Sequence, residues 1–324
     1  MIVVTGGCGF IGSNLVRGLN RRGIEDIVVV DDLSHSEKFS NILDCRITDY
    51  RDYKSFLGDL VGGRMPGVDI IFHLGACSDT METDGRYMMQ VNYEYSRQLL
   101  EYCASSMARF IYASSASVYG NGTSFREVPE NEHALNIYAY SKLLFDRHVR
   151  NYLKQFTSQV VGLRYFNVYG PREQHKGRMA SVAHHFYDQQ MQHGCVSLFK
   201  GSGGYGDGEQ KRDFIWVGDT VDVNLFFMDQ ADASGIFNVG TGEARSFNDI
   251  ACAVISTIKE NKKMVSALVD SAEIKYIPFP NQLVGKYQSF TQADVDALRA
   301  AGYTQPFTSL ESGIQQYVEW RKLA

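Results

Sequence analysis

Three side chains in this 324-residue chain have the types and spacing for proton transfer: Ser115, Tyr138 and Lys142. Tyr138 and Lys142 form a Tyr-x-x-x-Lys pair at the start of a helical pattern, and a four-residue spacing places both on one helix face. An ammonium held nearby favours tyrosinate, bringing a phenol with an ordinary pKa near 10 into range as a general base. Ser115, 23 residues upstream, can hydrogen-bond the reacting hydroxyl. The pair alone is weak evidence. With 19 tyrosines a chance match is ordinary, and Tyr50–Lys54 is a second one. It has no upstream serine and reads as accidental.

The N-terminal segment supplies what such a set would work on. An apolar run, Ile2 to Val4, breaks into Gly6-x-x-Gly9-x-x-Gly12, and a helical pattern (Ile11, Leu15, Val16, Leu19) follows. Gly6 allows the turn, Gly9 lets backbone N–H groups approach a pyrophosphate, and Gly12 lets the helix pack on the sheet. A second apolar run, Ile27 to Val30, ends in Asp31-Asp32, where a carboxylate can bind ribose hydroxyls. The ordered set of strand, glycines, helix, strand and acid predicts a dinucleotide site. Asp31 alone favours NAD, because a carboxylate repels a 2′-phosphate. Lys38, shortly afterwards, could pair with that phosphate and admit NADP.

The elements that must position these residues follow from periodicity. Strand-like runs at 2–4, 27–30, 69–73, 109–113 and 159–163 alternate with helical patterns such as 88–106 and 139–155. This predicts an α/β fold, a Rossmann-type doubly wound parallel sheet with right-handed crossovers and ligands at the carboxyl ends of the strands. The chain is long for one core. Residues 1–166, with 213–240 returning to them, are expected to form the dinucleotide domain; 167–212 and 241–324 are expected to form mainly a smaller mixed α/β substrate domain. After the third run, Leu74-Gly75-Ala76-Cys77-Ser78 is small enough to let backbone approach a cofactor, or is simply a βα turn. Gly201 to Gly208 reads as a flexible loop.

A hydrophobic content of 44% and charged content of 21% are those of an ordinary globular protein. The net charge of −5 gives no reason to expect nucleic acid, and no apolar run of about 18 residues exists to span a membrane. The sequence opens on a strand-like run, and no signal peptide is expected. Its six cysteines are scattered without a C-x-x-C pair, and its eight histidines lack ligand spacing. Reduced thiols, a cytoplasmic location and no metal are expected.

Taken together, Thr5 to Gly12, Asp31, the Ala76 region, Asn92 in Val-Asn-Tyr-Glu-Tyr-Ser, Ser115, Tyr138, Lys142 and Arg164 to Arg172 resemble the extended short-chain dehydrogenase/reductase superfamily over essentially the whole chain. Its NAD(P)-dependent epimerases and dehydratases act on nucleotide sugars. Further segments are similar to one branch, the ADP-L-glycero-D-manno-heptose 6-epimerases: Met1 to Asn14, Lys38-Phe39, Gly75 to Ser78, Tyr87 to Met89, Glu173-x-His-Lys-Gly177, Met179 to Ala183 and Lys286 to Asp294. Asp32, Leu74, Arg178 and a longer 203–210 loop depart from that pattern.

The resemblance implies an isomerase that inverts carbon 6 of ADP-D-glycero-β-D-manno-heptose through a transient 6-ketone, supplying heptose for the lipopolysaccharide inner core. It implies tightly bound NADP, touched by Gly6, Gly9, Phe10, Ile11, Gly12, Asp31, Asp32, Lys38, Leu74, Gly75, Ala76, Cys77, Ser78, Asn92, Lys142, Val168 and Lys176. Tyr138 and Lys176 are then the two acid/base groups, with Ser115 orienting the oxygen. The substrate is contacted by Ser115, Asn167, Arg178, His185, Phe199, Lys200, Gly201, Ser202, Arg212 and Tyr287, Arg212 being the best diphosphate clamp. From the residues alone, Lys176 is equally a solvated loop lysine and His185 a structural histidine. The family also implies a ring-like homo-oligomer, with a pentamer as its candidate size. Two other readings stand beside this one: a UDP-sugar 4-epimerase using NAD, and a non-catalytic NADP-sensing regulator.

Overall fold

The structure, a computed structural model, describes residues 1–65, 67–155, 157–280 and 288–323. Strands β1 (Ile2–Thr5), β2 (Ile27–Asp31), β3 (Asp49–Asp52), β4 (Ile70–His73), β5 (Arg109–Ser115) and β6 (Val160–Tyr165) come first. Then β7 (Asn167–Tyr169), β8 (Val196–Phe199) and β9 (Lys211–Trp216) leave the main sheet, β10 (Gly235–Val239) returns to it, and β11 (Ala244–Ser246) and β12 (Ile274–Ile277) follow. The main sheet runs β10-β6-β5-β4-β1-β2-β3, with parallel pairing throughout.

Burial on both faces explains why these strands read as continuous apolar runs. Val4, Val29, Phe72 and Ile111 face one core, lined by the helices Phe10–Arg21 and Val217–Asp229. Their neighbours Val3, Val28, Ile71 and Phe110 face the other, beneath the helices Tyr53–Val61, Tyr95–Ser106 and Ile137–Tyr152. The chain winds outward from β1 to β3, then reverses to β4 on the other side of β1. The reversal puts the carboxyl ends of β1 and β4 side by side, at Thr5 and His73. Such a switch point is where doubly wound sheets bind ligands.

A third core packs the helices Val182–His193, Phe247–Lys259 and Leu310–Leu323 against two small sheets, β11-β9-β7 and β12-β8. Of residues 213–240, the helix Val217–Asp229 packs on Phe10–Arg21 and β10 joins the main sheet, whereas 213–216 belong to the small sheet.

Two features differ from the periodicity. The segment 88–106 is interrupted: a helix Gly85–Met89 passes through a π-turn, Gln90–Glu94, before Tyr95–Ser106. The edge strand β3 reads Asp-Tyr-Arg-Asp, too polar to announce itself, because it pairs on one side only.

Between β6 and the helix Ile137–Tyr152 lies a buried ion network. Arg164 is fully buried; its Nε donates to Asp146 Oδ2 at 2.8 Å, its Nη2 pairs with Glu132, and its guanidinium lies 5.0 Å from the Tyr119 ring centroid. Tyr112 and Ser114 hydroxyls also donate to Asp146, at 2.9 and 2.8 Å. Burial alone would raise the Glu132 carboxyl, but Arg150 and Arg164 pull it below its usual value. Replacing Arg164 by Leu leaves Asp146 without its cation, while Arg150 still reaches Glu132. Arg164→Leu should therefore cost about 3–5 kcal/mol, read as a lower urea midpoint. An unchanged midpoint would show that the network is held by its hydrogen bonds alone.

Candidate active site

At the end of β1 the chain turns at Gly6, with φ of +68°, and Gly9 opens the helix Phe10–Arg21. The turn is crowded from both sides. A Cβ on Gly6 would sit 2.6 Å from the Gly75 nitrogen, and one on Gly12 would sit 2.1 Å from the Gly6 oxygen. The first helical turn, Phe10-Ile11-Gly12-Ser13, carries no acid, so its backbone donors face the switch point with their dipole uncompensated. This cradle, closed to any side chain, fits a dinucleotide pyrophosphate.

Asp31 ends β2 and is buried, using both carboxylate oxygens: Oδ2 accepts from Cys8 N at 2.7 Å, Oδ1 from Lys38 Nζ at 2.5 Å and Asp32 N at 2.6 Å. Lys38 also donates to the Asp32 carbonyl at 2.6 Å. The lysine thus lies on the ribose carboxylate itself.

Beyond β4, Leu74 N donates to Thr5 O at 3.0 Å and packs against the core, Gly75 N donates to Thr5 Oγ1 at 3.1 Å, and Ala76 and Cys77 are half-buried while Ser78 is exposed. Asn92, inside the π-turn, clasps this segment. Its Oδ1 accepts from Cys77 N at 2.8 Å; its Nδ2 donates to Cys77 O at 2.9 Å and Ser141 Oγ at 3.1 Å. Wide π-turns recur at functional sites.

Ser115 closes β5, and its hydroxyl hydrogen-bonds Tyr138 on the helix Ile137–Tyr152. Lys142, one turn on, is buried and donates to Ala113 O at 2.8 Å. Burial raises the Tyr138 phenol above its ordinary value and the Ser115 hydrogen bond only partly offsets this. Lys142 does not draw the phenol down; its ammonium is turned to a carbonyl, and burial lowers it to about 8 against the pull of Asp146. In the protein alone, burial therefore favours the protonated phenol.

Lys176 sits on the 3-10 turn Gln174–Met179, bent at Gly177, whose φ is +50°. Its Nζ lies 5.3 Å from the centroid of the Phe10 ring, beside the glycine turn. Burial lowers its pKa and Glu173 opposes the shift. It is therefore no solvated loop lysine. Two tethers hold its segment. Asn41 Nδ2 donates to Arg172 O at 3.1 Å and Cys8 O at 3.0 Å and meets His175 Nδ1 at 3.0 Å; on the far side Arg178 pairs with Asp79 at 2.6 Å.

The residues suggested for substrate are more scattered. Asn167 starts β7 two positions past Tyr165, the register partner of Ser115, and accepts from Thr291 Oγ1 at 3.4 Å. Val168 follows, half-buried. Arg212 is buried on β9, 5.7 Å from the Phe247 ring centroid. Phe199 stacks edge-on to Phe279 at 5.5 Å, and Gln210 Nε2 ties Lys200 O at 3.2 Å to Ser202 Oγ at 3.0 Å. Gly201 N donates to Asp207 Oδ1 at 2.8 Å and Gly208 N to Phe199 O at 3.0 Å, so the 201–208 segment is a hydrogen-bonded turn region rather than a loose loop. His185, half-buried on the helix Val182–His193, has its ring beside His184 and makes no described contact with Ser115 or Tyr138. Tyr287 lies outside the described residues; its neighbour Gln288 donates to Gly120 O at 2.7 Å.

Sequence reasoning missed His73, Asn41 and Asp79. A histidine closing an otherwise apolar buried strand was the one available signal; the other two sit in loops without a motif.

A glycine cradle at the switch point with a Ser–Tyr–Lys set beside it belongs to a known class. Residues 2–240 match the NAD dependent epimerase/dehydratase family, and the chain belongs to that family. It is 53% identical, over 98% of both chains, to the ADP-L-glycero-D-manno-heptose-6-epimerase of Cupriavidus pinatubonensis. It is also similar to the crystal structure of the Helicobacter pylori ADP-L-glycero-D-manno-heptose-6-epimerase, with a TM-score of 0.82 and 33% identity over 100% of this chain and 96% of that one. The Thermus thermophilus UDP-glucose 4-epimerase, in complex with NAD, superposes with a TM-score of 0.78 at 26% identity, covering 98% and 97%.

If the cradle holds the dinucleotide, Gly12→Ala should abolish co-purification of nicotinamide cofactor, because the methyl forces the helix off the Gly6 carbonyl. Absorbance of the extracted cofactor measures it, and full retention would place the dinucleotide elsewhere.

Proposed function

We propose that the chain is an ADP-L-glycero-D-manno-heptose 6-epimerase, an isomerase that inverts carbon 6 of the D-glycero sugar nucleotide with NADP as its resident cofactor. One observation carries the reading. Two proton-handling groups reach one dinucleotide cradle from separate elements: Tyr138, joined to Ser115 at the end of β5, and Lys176, over Phe10 at the glycine turn. A ring-carbon epimerase has no need of the second. An exocyclic carbon can turn about its bond to the ring and present either face, and one acid/base group cannot easily serve both orientations.

The cradle residues Gly6, Gly9 and Gly12, with Asp31 and the Gly75–Cys77 turn, would hold the dinucleotide, which supplies a reversible hydride acceptor for carbon 6. Ser115 orients the sugar oxygen. Tyr138 and Lys176 each hold or release the proton of that oxygen in one orientation. Lowered by burial, Lys176 gives up its proton more readily than a solvated lysine. Arg212 and Asn167, on the paired strands β9 and β7, would meet the nucleotide end of the substrate. We assign the cofactor portion to 1–166 with 217–240, since 213–216 lie in the small sheet, and the substrate portion mainly to 167–216 with 241–324.

Incubating the D-glycero sugar nucleotide with the protein and no added cofactor should give the L-glycero epimer by NMR. Tyr138→Phe and Lys176→Met should each nearly abolish that conversion while keeping bound cofactor. Turnover of UDP-galactose instead would favour the 4-epimerase, and no turnover of either the sensor. Near wild-type epimerisation by Lys176→Met would end the two-base assignment.

NADP rather than NAD is supported by Lys38, whose ammonium neutralises the carboxylate that would repel a 2′-phosphate. Lys38→Glu should weaken NADP more than NAD, shifting the preference by about ten- to a hundredfold in a competitive binding titration. Equal loss for both would make the lysine structural.

A further inference from the structure

His73 is a buried polar group at the switch point that the proposed chemistry leaves unused. It ends β4 at the switch point, 2% exposed, with its ring 5.7 Å from Phe110 and 5.9 Å from Tyr95. Its two nitrogens both have partners: Nδ1 lies 2.6 Å from Thr5 Oγ1 and Nε2 lies 2.8 Å from Ser96 Oγ.

The proton positions along this string follow from its ends. Ser96 Oγ donates its one proton to Asn92 O at 2.7 Å, so toward His73 it must accept, and Nε2 carries the hydrogen. At the other end Thr5 Oγ1 accepts from Gly75 N at 3.1 Å, leaving its own proton for Nδ1. The string runs in one direction, from the Gly75 N–H through Thr5, His73 and Ser96 to the Asn92 carbonyl. Asn92 in turn grips Cys77 by both its N–H and its carbonyl and reaches Ser141, whose hydroxyl donates to Tyr138 O at 2.7 Å. The Gly75–Cys77 turn is thus fastened at both ends, and the two fastenings are joined through the imidazole.

We propose that His73 is a positioning residue for the dinucleotide: as the neutral Nε2–H tautomer it locks the Gly75–Cys77 turn to the glycine turn on one side and to the Asn92 π-turn, and through Ser141 to the Tyr138 helix, on the other. The ring is suited to this task. Burial first, and then the Lys142 ammonium, push it down to about 3, so it stays uncharged and its tautomer stays constant at neutral pH. A protonated ring would present a second N–H to Thr5 and turn that hydroxyl away from it. This inference rests on the dinucleotide reading, not on the identity of the sugar.

Two measurements on the full-length protein test it. In the 15N-labelled protein, the ring nitrogens assigned by their loss in His73→Gln should show a protonated Nε2 and a bare Nδ1, unchanged from pH 8 to pH 5. In the NADP-loaded protein without any sugar present, Thr5→Val and Ser96→Ala should each release NADP about tenfold faster, the change expected when one buried hydrogen-bond partner is lost. His73→Gln, which can keep a donor toward Ser96, should fall between them and wild type, and His73→Leu should be fastest. If His73→Leu does not fold, the two flanking variants and the wild-type tautomer still decide. An Nδ1–H or doubly protonated ring at neutral pH overturns the proposal. So does a set of variants with lower Tm but wild-type NADP release, which would make the string merely structural. A wild-type protein that binds NADP but leaves ADP-heptose unchanged would fail the epimerase reading alone.

Discussion

The backbones of Gly6 and Gly75 approach so closely that no side chain fits between them, and the arrangement of the site depends on that approach. It occurs because β1 and β4 are neighbours in the sheet while the chain between them has wound outward and come back. Their ends therefore meet without an intervening crossover helix on that edge, and the two turns can share one ligand. From β1 comes the helix whose open N–H groups suit an anion. From β4 comes the turn held by Thr5 and Asn92. Ser115, on the next strand, inherits its place from the same order, since β5 lies beside β4.

Several charged groups around this meeting point are buried and partnered rather than left to solvent. Asp31 is satisfied by Cys8 N–H, Asp32 N–H and Lys38, and Lys142 by the Ala113 carbonyl. Asp146 is satisfied by Arg164, Tyr112 and Ser114. Isolated, each of these groups would be costly to bury. Joined, they hold side chains in single rotamers next to the switch point, which is the condition for preorganised proton transfer. The same burial raises the Tyr138 phenol, and the Lys142 ammonium is not aimed to offset it. Helix geometry fixes which side chains share a face but not where a long ammonium points, and Lys142 points to the strand.

Much of the site was legible because its parts are local. The glycine turn, Asp31 and the Tyr138–Lys142 pair each lie within one strand–turn–helix unit, and the apolar runs of β1, β2, β4, β5 and β6 are visible because both faces are buried. What was not legible is non-local or polar. β3 has four residues, three of them charged, and exists because β2 offers an edge. Asn41 holds Arg172 from 131 positions away, and Arg178 meets Asp79 across 99. No spacing rule reaches that far. His73 stood in plain sight at the end of an apolar run, but its importance comes from Thr5 and Ser96, which flank it only in the folded sheet.

The π-turn Gln90–Glu94 sets the length of its segment. A turn closed by i→i+5 bonds holds one residue more than an α-helical turn, so the helices on either side are out of phase by that residue. Met88 before it and Leu99, Leu100 and Cys103 after it are nonetheless all buried, each half meeting the core with its own stripe. Removing one residue here would restore an unbroken α-helix, but it would rotate one stripe out of the core or carry Asn92 away from Cys77. The 85–106 segment is thus intolerant of single-residue insertions and deletions, even where the substituted side chains themselves face solvent.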